Sequence, residues 1–319
     1  MKFSWKTIKK PYLILAPMAG YTDSPFRQLV KEIAPDVICI TELISADGLS
    51  YGSKKTNDML RFKEIERPQI LQLFGKRLEH FAEAVKIAED MGFDGIDINM
   101  GCPAKKVIGS MHGSALIKTP ELAFEIVETC AKNTKLPVSV KTRLGWEDDS
   151  TLIGFAKGLE NAGAQMITIH GRTTKQVFTG KADWDPIYKL KETLSIPVTG
   201  NGDIMTGEIA RGRVQNLDGI MVGRATFGNP WIMGEVSEAI GLRASSKKPE
   251  LFDDLKKFMI HHAELNVEVH GLKKGMLDIR KHLASYIKGV PGASKMRSEL
   301  VRVESIEEIK QILNRFLIN

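Results

Sequence analysis

Eight short apolar runs, each followed by a longer segment of helical character, constrain this chain more than any other feature. The runs are continuous rather than alternating, which is typical of parallel strands buried on both faces. They are found at Tyr12–Met18, Val37–Leu43, Gln69–Phe74, Gly95–Asn99, Pro137–Thr142, Met166–His170, Pro197–Asn201 and Gly219–Gly223. Eight strands in strict alternation with helices predict an α/β fold, the (β/α)8 TIM barrel.

A doubly wound parallel sheet is the alternative for such alternation. That fold, when it binds a dinucleotide, carries a G-x-G-x-x-G turn after its first strand. The residues at that place are Ala16-Pro17-Met18-Ala19-Gly20, which do not fit the pattern. We therefore predict a catalytic barrel domain over residues 1–243.

The pattern changes after Arg243. A polar, linker-like stretch, 244–249, is followed by helical patterns at Leu251–Val269, Met276–Ile287 and Ile306–Leu317, without strand-like runs. We predict that residues 244–319 form a small all-helical domain.

The positive charge of the chain is concentrated in that second domain. Between residues 270 and 302 there are eight basic residues and two acidic ones, which accounts for the whole net charge of +6. Such a concentration is the electrostatic footprint expected for a polyanion partner. A solvated helical face that binds nothing is the alternative.

Several classes of protein are disfavoured by composition. No apolar run approaches the roughly 18–20 residues that span a membrane, and the first residues lack the apolar core of a signal peptide. The three cysteines, at wide spacings, offer neither a disulfide framework nor a zinc site. No cluster of His, Cys and carboxylate residues has metal-ligand spacing, so we predict no metal. These features favour a cytoplasmic protein, and nothing in the sequence implies a protein partner.

Cys102 is the cysteine that stands out. Cys39 and Cys130 lie in apolar segments, as buried cysteines do, whereas Cys102 lies between Gly101 and Pro103 just after the fourth predicted strand. In a TIM barrel that position is on the face that carries the chemistry. The motif alone leaves open a second interpretation, a turn in which cysteine is simply a small residue.

Polar residues end most of the predicted strands, and in a barrel these ends meet at one rim. Phosphate commonly binds there through backbone N–H groups after the seventh and eighth strands, where Gly200-Asn201-Gly202-Asp203 and Gly223-Arg224 stand. Lys141 would add a fixed positive charge beside a developing anion. His170 is either a structural group or, as its neighbours Gly171 and Arg172 favour, part of a binding site.

Six motifs together resemble the flavin-dependent tRNA-dihydrouridine synthase family. They are Ala16-Pro17-Met18-Ala19-Gly20-Tyr21-Thr22-Asp23, Asn99-Met100-Gly101-Cys102-Pro103, Lys141-Thr142-Arg143-Leu144-Gly145, His170-Gly171-Arg172-Thr173, Asn201-Gly202-Asp203-Ile204 and Gly223-Arg224-Ala225. The segment Arg280-Lys281-His282 with Tyr286-Ile287-Lys288-Gly289 is most similar to the bacterial B-type subgroup.

The resemblance implies an FMN cofactor, NADPH as the electron donor and tRNA as the partner. The cofactor site that it implies is formed by Ala16, Pro17, Met18, Gln72, Lys141, His170, Asn201, Gly202, Asp203, Gly223 and Arg224. Substrate-binding residues are expected at Asn99, which would hold the uracil, and at Arg172, Arg280, Lys281, Lys288 and Arg297.

The implied reaction is the reduction of the C5–C6 double bond of a uridine in tRNA. Hydride passes from N5 of the reduced flavin to C6, and Cys102, the family's general acid, protonates C5. A free thiol has a pKa of about 8.5, so it is mostly protonated at neutral pH. The base must leave its stack to reach a flavin, so the enzyme must hold the folded tRNA while one nucleotide is extruded. The basic segment would do this by binding the tRNA phosphates.

The loop after Cys102 departs from the family pattern. Where relatives commonly carry a basic residue followed by Asn-Gly-Ala-Gly-Ser, this chain has Gly109-Ser110-Met111-His112-Gly113-Ser114. His112 is either a second titrating group near Cys102 or a tolerated loop substitution.

Two other functions compete with tRNA reduction. One is an FMN barrel oxidoreductase that acts on a free pyrimidine, such as a dihydroorotate or dihydropyrimidine dehydrogenase, although this would leave the basic helical domain without a role. The other is a non-catalytic, flavin-containing tRNA-binding protein.

Overall fold

The structure, a computed structural model, describes residues 3–289 and 292–315. Its sheet consists of parallel strands β1 (Tyr12–Leu15), β2 (Ile38–Ile40), β3 (Ile44–Ser45), β4 (Gln69–Phe74), β5 (Gly95–Asn99), β6 (Val138–Arg143), β7 (Met166–His170), β8 (Val198–Asn201) and β9 (Gly219–Val222). The strands follow the order β2-β1-β9-β8-β7-β6-β5-β4, and pairing of β2 with β4 closes the ring. The predicted eight-stranded parallel barrel is confirmed, with β3 as a two-residue addition beside β4.

Helices alternate with the strands and then continue alone. They are α1 (Ser24–Ile33), α2 (Ala46–Ser50), α3 (Lys54–Asp58), α4 (Leu78–Asp90), α5 (Lys105–Gly109), α6 (Pro120–Asn133), α7 (Leu152–Asn161), α8 (Asp185–Thr193), α9 (Gly207–Val214), α10 (Ile232–Ala239), α11 (Phe252–His270), α12 (Leu272–Tyr286), α13 (Ala293–Leu300) and α14 (Ile306–Arg315). Short 3-10 helices lie at Glu64–Glu66, Gly113–Lys118 and Arg224–Thr226. No helix in the described part of the chain is long and apolar enough to cross a membrane.

The predicted strand Val37–Leu43 was too long. β2 ends at Ile40, and the next strand, β3, begins only at Ile44. Thr41 turns its hydroxyl to accept from the Gln72 backbone N–H (3.0 Å), so a side chain takes the place of a strand-to-strand bond there. Apolar character alone did not reveal this break.

The interior of the barrel has an apolar end and a polar end. Trp5, Tyr12 and Met166 belong to an apolar cluster with the side chains of β1, β2 and β9 that face inward, and this cluster fills the amino-terminal end. A second, larger core lies between the strands and the surrounding helices. The barrel also holds buried polar side chains on β4, β5 and β6, namely Gln72, Asp97, Asn99 and Ser139.

The last four helices pack against the barrel through α1. The ring of Phe26 on α1 stacks on His282 of α12, with centroids 5.2 Å apart. His270 Nε2 lies 3.2 Å from Asp23 Oδ2, the residue that caps α1. α11, α12 and α14 correspond to the predicted helices, whereas α13 was missed; Leu317, the predicted end of the last one, lies outside the described residues. The division at residue 243 remains a prediction.

Candidate active site

A cavity of about 650 Å³ opens at the carboxyl ends of the barrel strands. A volume of this size suits a cofactor or a drug-sized ligand. Most of the predicted cofactor residues line it, namely Ala16, Pro17, Met18, Lys141, His170, Asn201, Gly202, Asp203, Gly223 and Arg224. The predicted general acid Cys102 and the predicted uracil ligand Asn99 also line it. The barrel thus brings together residues that are spread over more than two hundred positions of the sequence.

The backbone of Cys102 is held on both sides. Its N–H donates to Asn99 Oδ1 (2.9 Å), and its carbonyl accepts from the hydroxyl (3.0 Å) and the N–H (3.1 Å) of Ser114. Gly113 has φ +61°, and a Cβ there would lie 2.8 Å from the Cys102 carbonyl oxygen. A side chain at Gly113 would therefore push this clamp apart. The thiol is free and half-buried.

Two cations on β6, Lys141 and Arg143, face the cavity together, as their spacing of two residues in a strand requires. Burial and the neighbouring Arg143 lower the pKa of Lys141 from 10.5 to about 8, against the opposing effect of Asp97. Burial also lowers the pKa of Arg143 to about 10. The site therefore concentrates positive charge in a poorly solvated place, which favours an anionic ligand.

Arg143 is a residue to which the sequence assigned no role. Its Nε donates to the Gly101 carbonyl (2.7 Å), and its Nη1 donates to the carbonyls of Thr173 (2.9 Å) and Val177 (2.8 Å). It therefore ties the loop that carries Cys102 to the loop after β7. Its position two residues after Lys141 on one strand was the signal that could have identified it.

His170 is neutral in this environment. Burial, reinforced by the positive charges of Lys141 and Arg143, lowers its pKa to about 2. Arg172 Nη1, which can only donate, lies 3.4 Å from His170 Nε2, so that nitrogen accepts and the ring proton is on Nδ1. His170 can thus donate a hydrogen bond from Nδ1 without adding charge.

Asp203 organises the phosphate side of the cavity. It accepts from Arg172 Nη2 (2.7 Å), the Ala182 N–H (2.8 Å) and Arg224 Nη2 (3.2 Å). Burial opposes its charge, but the hydrogen bond from Arg172 and the other contacts lower the pKa of Asp203 below its usual value. Gly202 has φ +132°, and a Cβ there would lie 2.6 Å from Ala182 Cβ, so glycine is required.

Arg172 does not line this cavity, contrary to its predicted role in substrate binding. Its side chain is 2% exposed and donates to the carbonyls of Thr179 (3.1 Å) and Gly180 (2.6 Å) as well as to Asp203. With its donors used in this way, it positions Asp203 and the loop after β7.

Gln72 also lies outside the cavity lining, although it was predicted to meet the cofactor. It has no exposed surface. Its amide donates to Asp97 Oδ2 (2.7 Å) and accepts from Asn99 Nδ2 (2.9 Å). Gln72 therefore supports Asn99 from beneath the cavity floor.

Aromatic side chains that the sequence analysis did not single out form the mouth of the cavity. Tyr21 and Phe227 stack with their centroids 4.0 Å apart. Phe178 is 52% exposed, and its ring lies beneath the guanidinium groups of Arg143 (5.6 Å) and Arg224 (5.0 Å). No periodicity in the sequence marks these residues, because they lie on separate loops.

The predicted basic residues of the C-terminal helices divide into two kinds. Lys281 lies with its Nζ 5.7 Å from the ring centroid of Tyr21, next to the cavity mouth, and Lys288 is exposed. Arg297 is half-buried on α13. Arg280, in contrast, donates to the Val303 carbonyl through Nε (3.0 Å) and Nη2 (2.8 Å), which joins α12 to the segment before α14.

His112 packs beside the site without lining it. Its ring meets Phe74 edge-on at 5.7 Å, and its Nε2 is buried with no hydrogen-bond partner among the residues described. Burial lowers the pKa of His112, which favours the neutral ring.

Comparison with known proteins finds a matching family model and related proteins that carry the same family name. The family model described as Dihydrouridine synthase (Dus) matches residues 14–318. A probable tRNA-dihydrouridine synthase 1 from Synechocystis is 37% identical over 95% of this chain and 85% of its own length. The tRNA-dihydrouridine synthase B of Pseudomonas syringae is 35% identical over 92% of this chain and 88% of its own length.

Solved structures give a likeness of fold alone. The old yellow enzyme homologue of Zymomonas mobilis superposes with a TM-score of 0.56 at 14% identity, covering 78% of this chain and 96% of that one. Histamine dehydrogenase from Rhizobium sp. 4-9 gives a TM-score of 0.52 at 13% identity, covering 79% of this chain and 48% of that one. Both support the barrel.

Proposed function

The chain belongs to the dihydrouridine synthase family, and from that premise we propose that it reduces specific uridines in tRNA to 5,6-dihydrouridine with an FMN cofactor. The observation that carries the proposal is the single cavity that joins a free thiol at Cys102 to the cationic side chains Lys141, Arg143 and Arg224. A free-pyrimidine reductase and a non-catalytic tRNA-binding protein are not favoured, because the related proteins carry the name of tRNA-dihydrouridine synthase.

The donor set of the cavity fits FMN. Asn201, Gly202, Asp203, Gly223 and Arg224 follow β8 and β9, which are the seventh and eighth strands of the barrel, where phosphate commonly binds. We propose that they hold the phosphate side, with Ala16, Pro17 and Met18 against the ring system. Arg224 adds a guanidinium that can bind phosphate in a bidentate manner.

Lys141 and His170 complete the proposed cofactor site by two different means. Lys141 supplies a positive charge that offsets negative charge on a reduced cofactor, and His170 supplies a neutral hydrogen-bond donor. When bound, the flavin would supply the hydride that reduces C6 of the uracil, after being reduced itself by NADPH.

We propose that Cys102 is the general acid. Its thiol holds the proton that C5 of the uracil receives, and the clamp formed by Asn99 and Ser114 keeps the thiol in place. Positioned proton donors contribute about 10²–10⁴-fold to rate. We propose that Asn99, beside Cys102 in the cavity lining, contacts the base.

The tRNA would be held by Lys281, Lys288 and Arg297, of which Lys281 lies beside the cavity mouth. Phosphate contacts of this kind supply affinity that depends on salt. Extrusion of one uridine would then bring its base into a cavity whose mouth is lined by aromatic side chains. We propose that this takes place in the cytoplasm.

Mapping dihydrouridine in tRNA tests the proposal. Mass spectrometry of tRNA from cells that lack this protein should show one or more uridines in place of dihydrouridine. Wild-type protein should restore the modification, and Cys102→Ala should not. A complete set of dihydrouridines in cells without the protein, and without a second synthase, would contradict it.

A further inference from the structure

A buried carboxylate lies beneath the cavity floor, and the proposed chemistry does not use it. Asp97 on β5 has no exposed surface and pairs in register with Gln72 on β4 and Ser139 on β6. It accepts hydrogen bonds from Gln72 Nε2 (2.7 Å) and Ser139 Oγ (2.7 Å). A buried charge is costly unless it is paired or hydrogen-bonded, so its presence in the barrel calls for a reason.

A continuous chain of hydrogen bonds leads from Asp97 to Cys102. Gln72 donates to Asp97 and accepts from Asn99 Nδ2 (2.9 Å). Asn99 Oδ1 in turn accepts from the backbone N–H groups of Gly101 (3.2 Å) and Cys102 (2.9 Å). Four side-chain and backbone groups in sequence thus link the barrel interior to the loop that carries the thiol.

The two ends of this chain allow only one orientation of the amides between them. A carboxylate can only accept, so Gln72 must turn its NH2 group toward Asp97 and its oxygen toward Asn99. A backbone N–H can only donate, so Asn99 must turn its oxygen toward Cys102. Both requirements are met together, which is the arrangement observed.

We propose that Asp97 is a positioning residue, which fixes the amides of Gln72 and Asn99 and through them the backbone of Cys102. The inference rests on the proposed function, since it concerns the group that protonates the base. Without an acceptor at Asp97, the Gln72 amide can rotate and turn its NH2 group toward Asn99, so that Asn99 Nδ2 loses its acceptor and the Asn99 side chain is no longer held against the Cys102 N–H. The clamp on Cys102 then loses one of its two sides.

The state of the carboxylate at neutral pH agrees with this role. Burial raises the pKa of Asp97 to about 6, while hydrogen bonds from Gln72 and Ser139 and the charge of Lys141 oppose the rise. The group is therefore mostly ionised at pH 7 and acts as an acceptor.

Two substitutions at Asp97 separate hydrogen bonding from charge. Asp97→Asn keeps an oxygen for Gln72, and its NH2 group can meet Ser139, whose hydroxyl can still donate to the Ile96 carbonyl (3.1 Å). Asp97→Ala removes the acceptor. Ser139→Ala is the matched control, because it removes the other hydrogen bond to Asp97 and leaves Gln72 and Asn99 in place.

Single-turnover dihydrouridine formation should fall about 10–100-fold in Asp97→Ala, since a displacement of about 1 Å can cost 10²-fold. It should stay within about threefold of wild type in Asp97→Asn and Ser139→Ala, and the KM for tRNA, measured separately at steady state, should be unchanged in all three. Loss in Asp97→Asn equal to that in Asp97→Ala would overturn the proposal.

Alkylation of the flavin-free protein with iodoacetamide gives a readout that does not require turnover. Cys39 and Cys130 have no exposed surface, so Cys102 is the accessible thiol. Its alkylation rate should rise several-fold in Asp97→Ala and remain at the wild-type value in Ser139→Ala. If Asp97→Ala does not fold, Gln72→Met can be used instead, because it removes the hydrogen bond between Gln72 and Asn99 in the same series. It should give the same alkylation result.

Wild-type alkylation and turnover in folded Asp97→Ala or Gln72→Met would overturn the inference. Equal changes in Ser139→Ala would overturn it as well, because the effect would then be general loosening of the floor. Failure of the proposed function is distinguishable: wild-type protein would form no dihydrouridine, while the alkylation rates would still report on Asp97.

Discussion

The buried charge of Lys141 should lower the free energy of unfolding of the folded protein. We therefore expect that replacing Lys141 with methionine raises that free energy. In the unfolded chain the lysine titrates near 10.5, whereas burial lowers its pKa to about 8 in the folded protein. At 1.36 kcal/mol per pKa unit, the protonated amine costs about 3 kcal/mol of folding free energy below pH 8. Lys141 is partly open to the cavity and also offsets the charge of Asp97, so we expect Lys141→Met to raise the free energy of unfolding by about 1–3 kcal/mol at pH 7.

The stability contributed by Lys141 should change with pH in a direction that follows from its lowered pKa. Between pH 8 and 10.5 the folded protein binds fewer protons at Lys141 than the unfolded chain does, so the wild type gains stability as pH rises through that window. The difference in the free energy of unfolding between Lys141→Met and the wild type should therefore be smaller at pH 9.5 than at pH 7. The same variant should bind FMN more weakly, which is the expected trade between stability and function.

Urea denaturation of flavin-free protein at the two pH values is the assay. Lys157→Met, at an exposed position on α7, is the control and should change the free energy of unfolding by less than about 0.5 kcal/mol at both. The reasoning is refuted if Lys141→Met destabilises the protein at pH 7, or if its advantage is the same at both pH values.

Two further predictions concern the C-terminal helices. Neutralising Lys281, Lys288 and Arg297 together should weaken tRNA binding and reduce the slope of log affinity against log salt by about 2–3, with FMN retained; an unchanged slope would mean that the residues form a solvated face. His282 is buried against Phe26, and burial lowers its pKa to about 4, so the wild type loses stability as pH falls from 6.5 toward 4 while the unfolded chain takes up the proton. His282→Phe should therefore gain about 2–3 kcal/mol relative to wild type between pH 7 and pH 4.5 in urea titrations, and a difference independent of pH would contradict this.

The barrel could be predicted from sequence because strands that are buried on both faces carry apolar residues at consecutive positions. β4, β5 and β7 have the predicted bounds, since each is rich in apolar residues and ends at a polar residue or directly before a glycine. The break between β2 and β3 could not be predicted, because it depends on the Thr41 hydroxyl meeting a neighbouring strand. α13 was missed because it is short and lies close to turn-forming residues.

The candidate site was predictable to the extent that strand ends converge. Which polar residue at a strand end faces the cavity is set by tertiary contacts. Arg143 faces it, whereas Arg172 turns away to Asp203 and the loop carbonyls, although both follow the same kind of motif. Gln72 is fully buried below the cavity lining. The sequence does not distinguish such a buried polar residue from one that lines the cavity.

The most direct measurement is the formation of dihydrouridine by purified wild-type and Cys102→Ala protein, each with FMN, NADPH and unmodified tRNA. Ser110→Ala, exposed in the loop after Cys102, is the control and should behave as wild type. We predict that Cys102→Ala binds tRNA and FMN as wild type does but forms dihydrouridine at least about 10²-fold more slowly, as expected for loss of a general acid. Formation of dihydrouridine by Cys102→Ala at the wild-type rate would contradict the assignment of Cys102 as the proton donor, and no dihydrouridine with the wild type would contradict the proposed function itself.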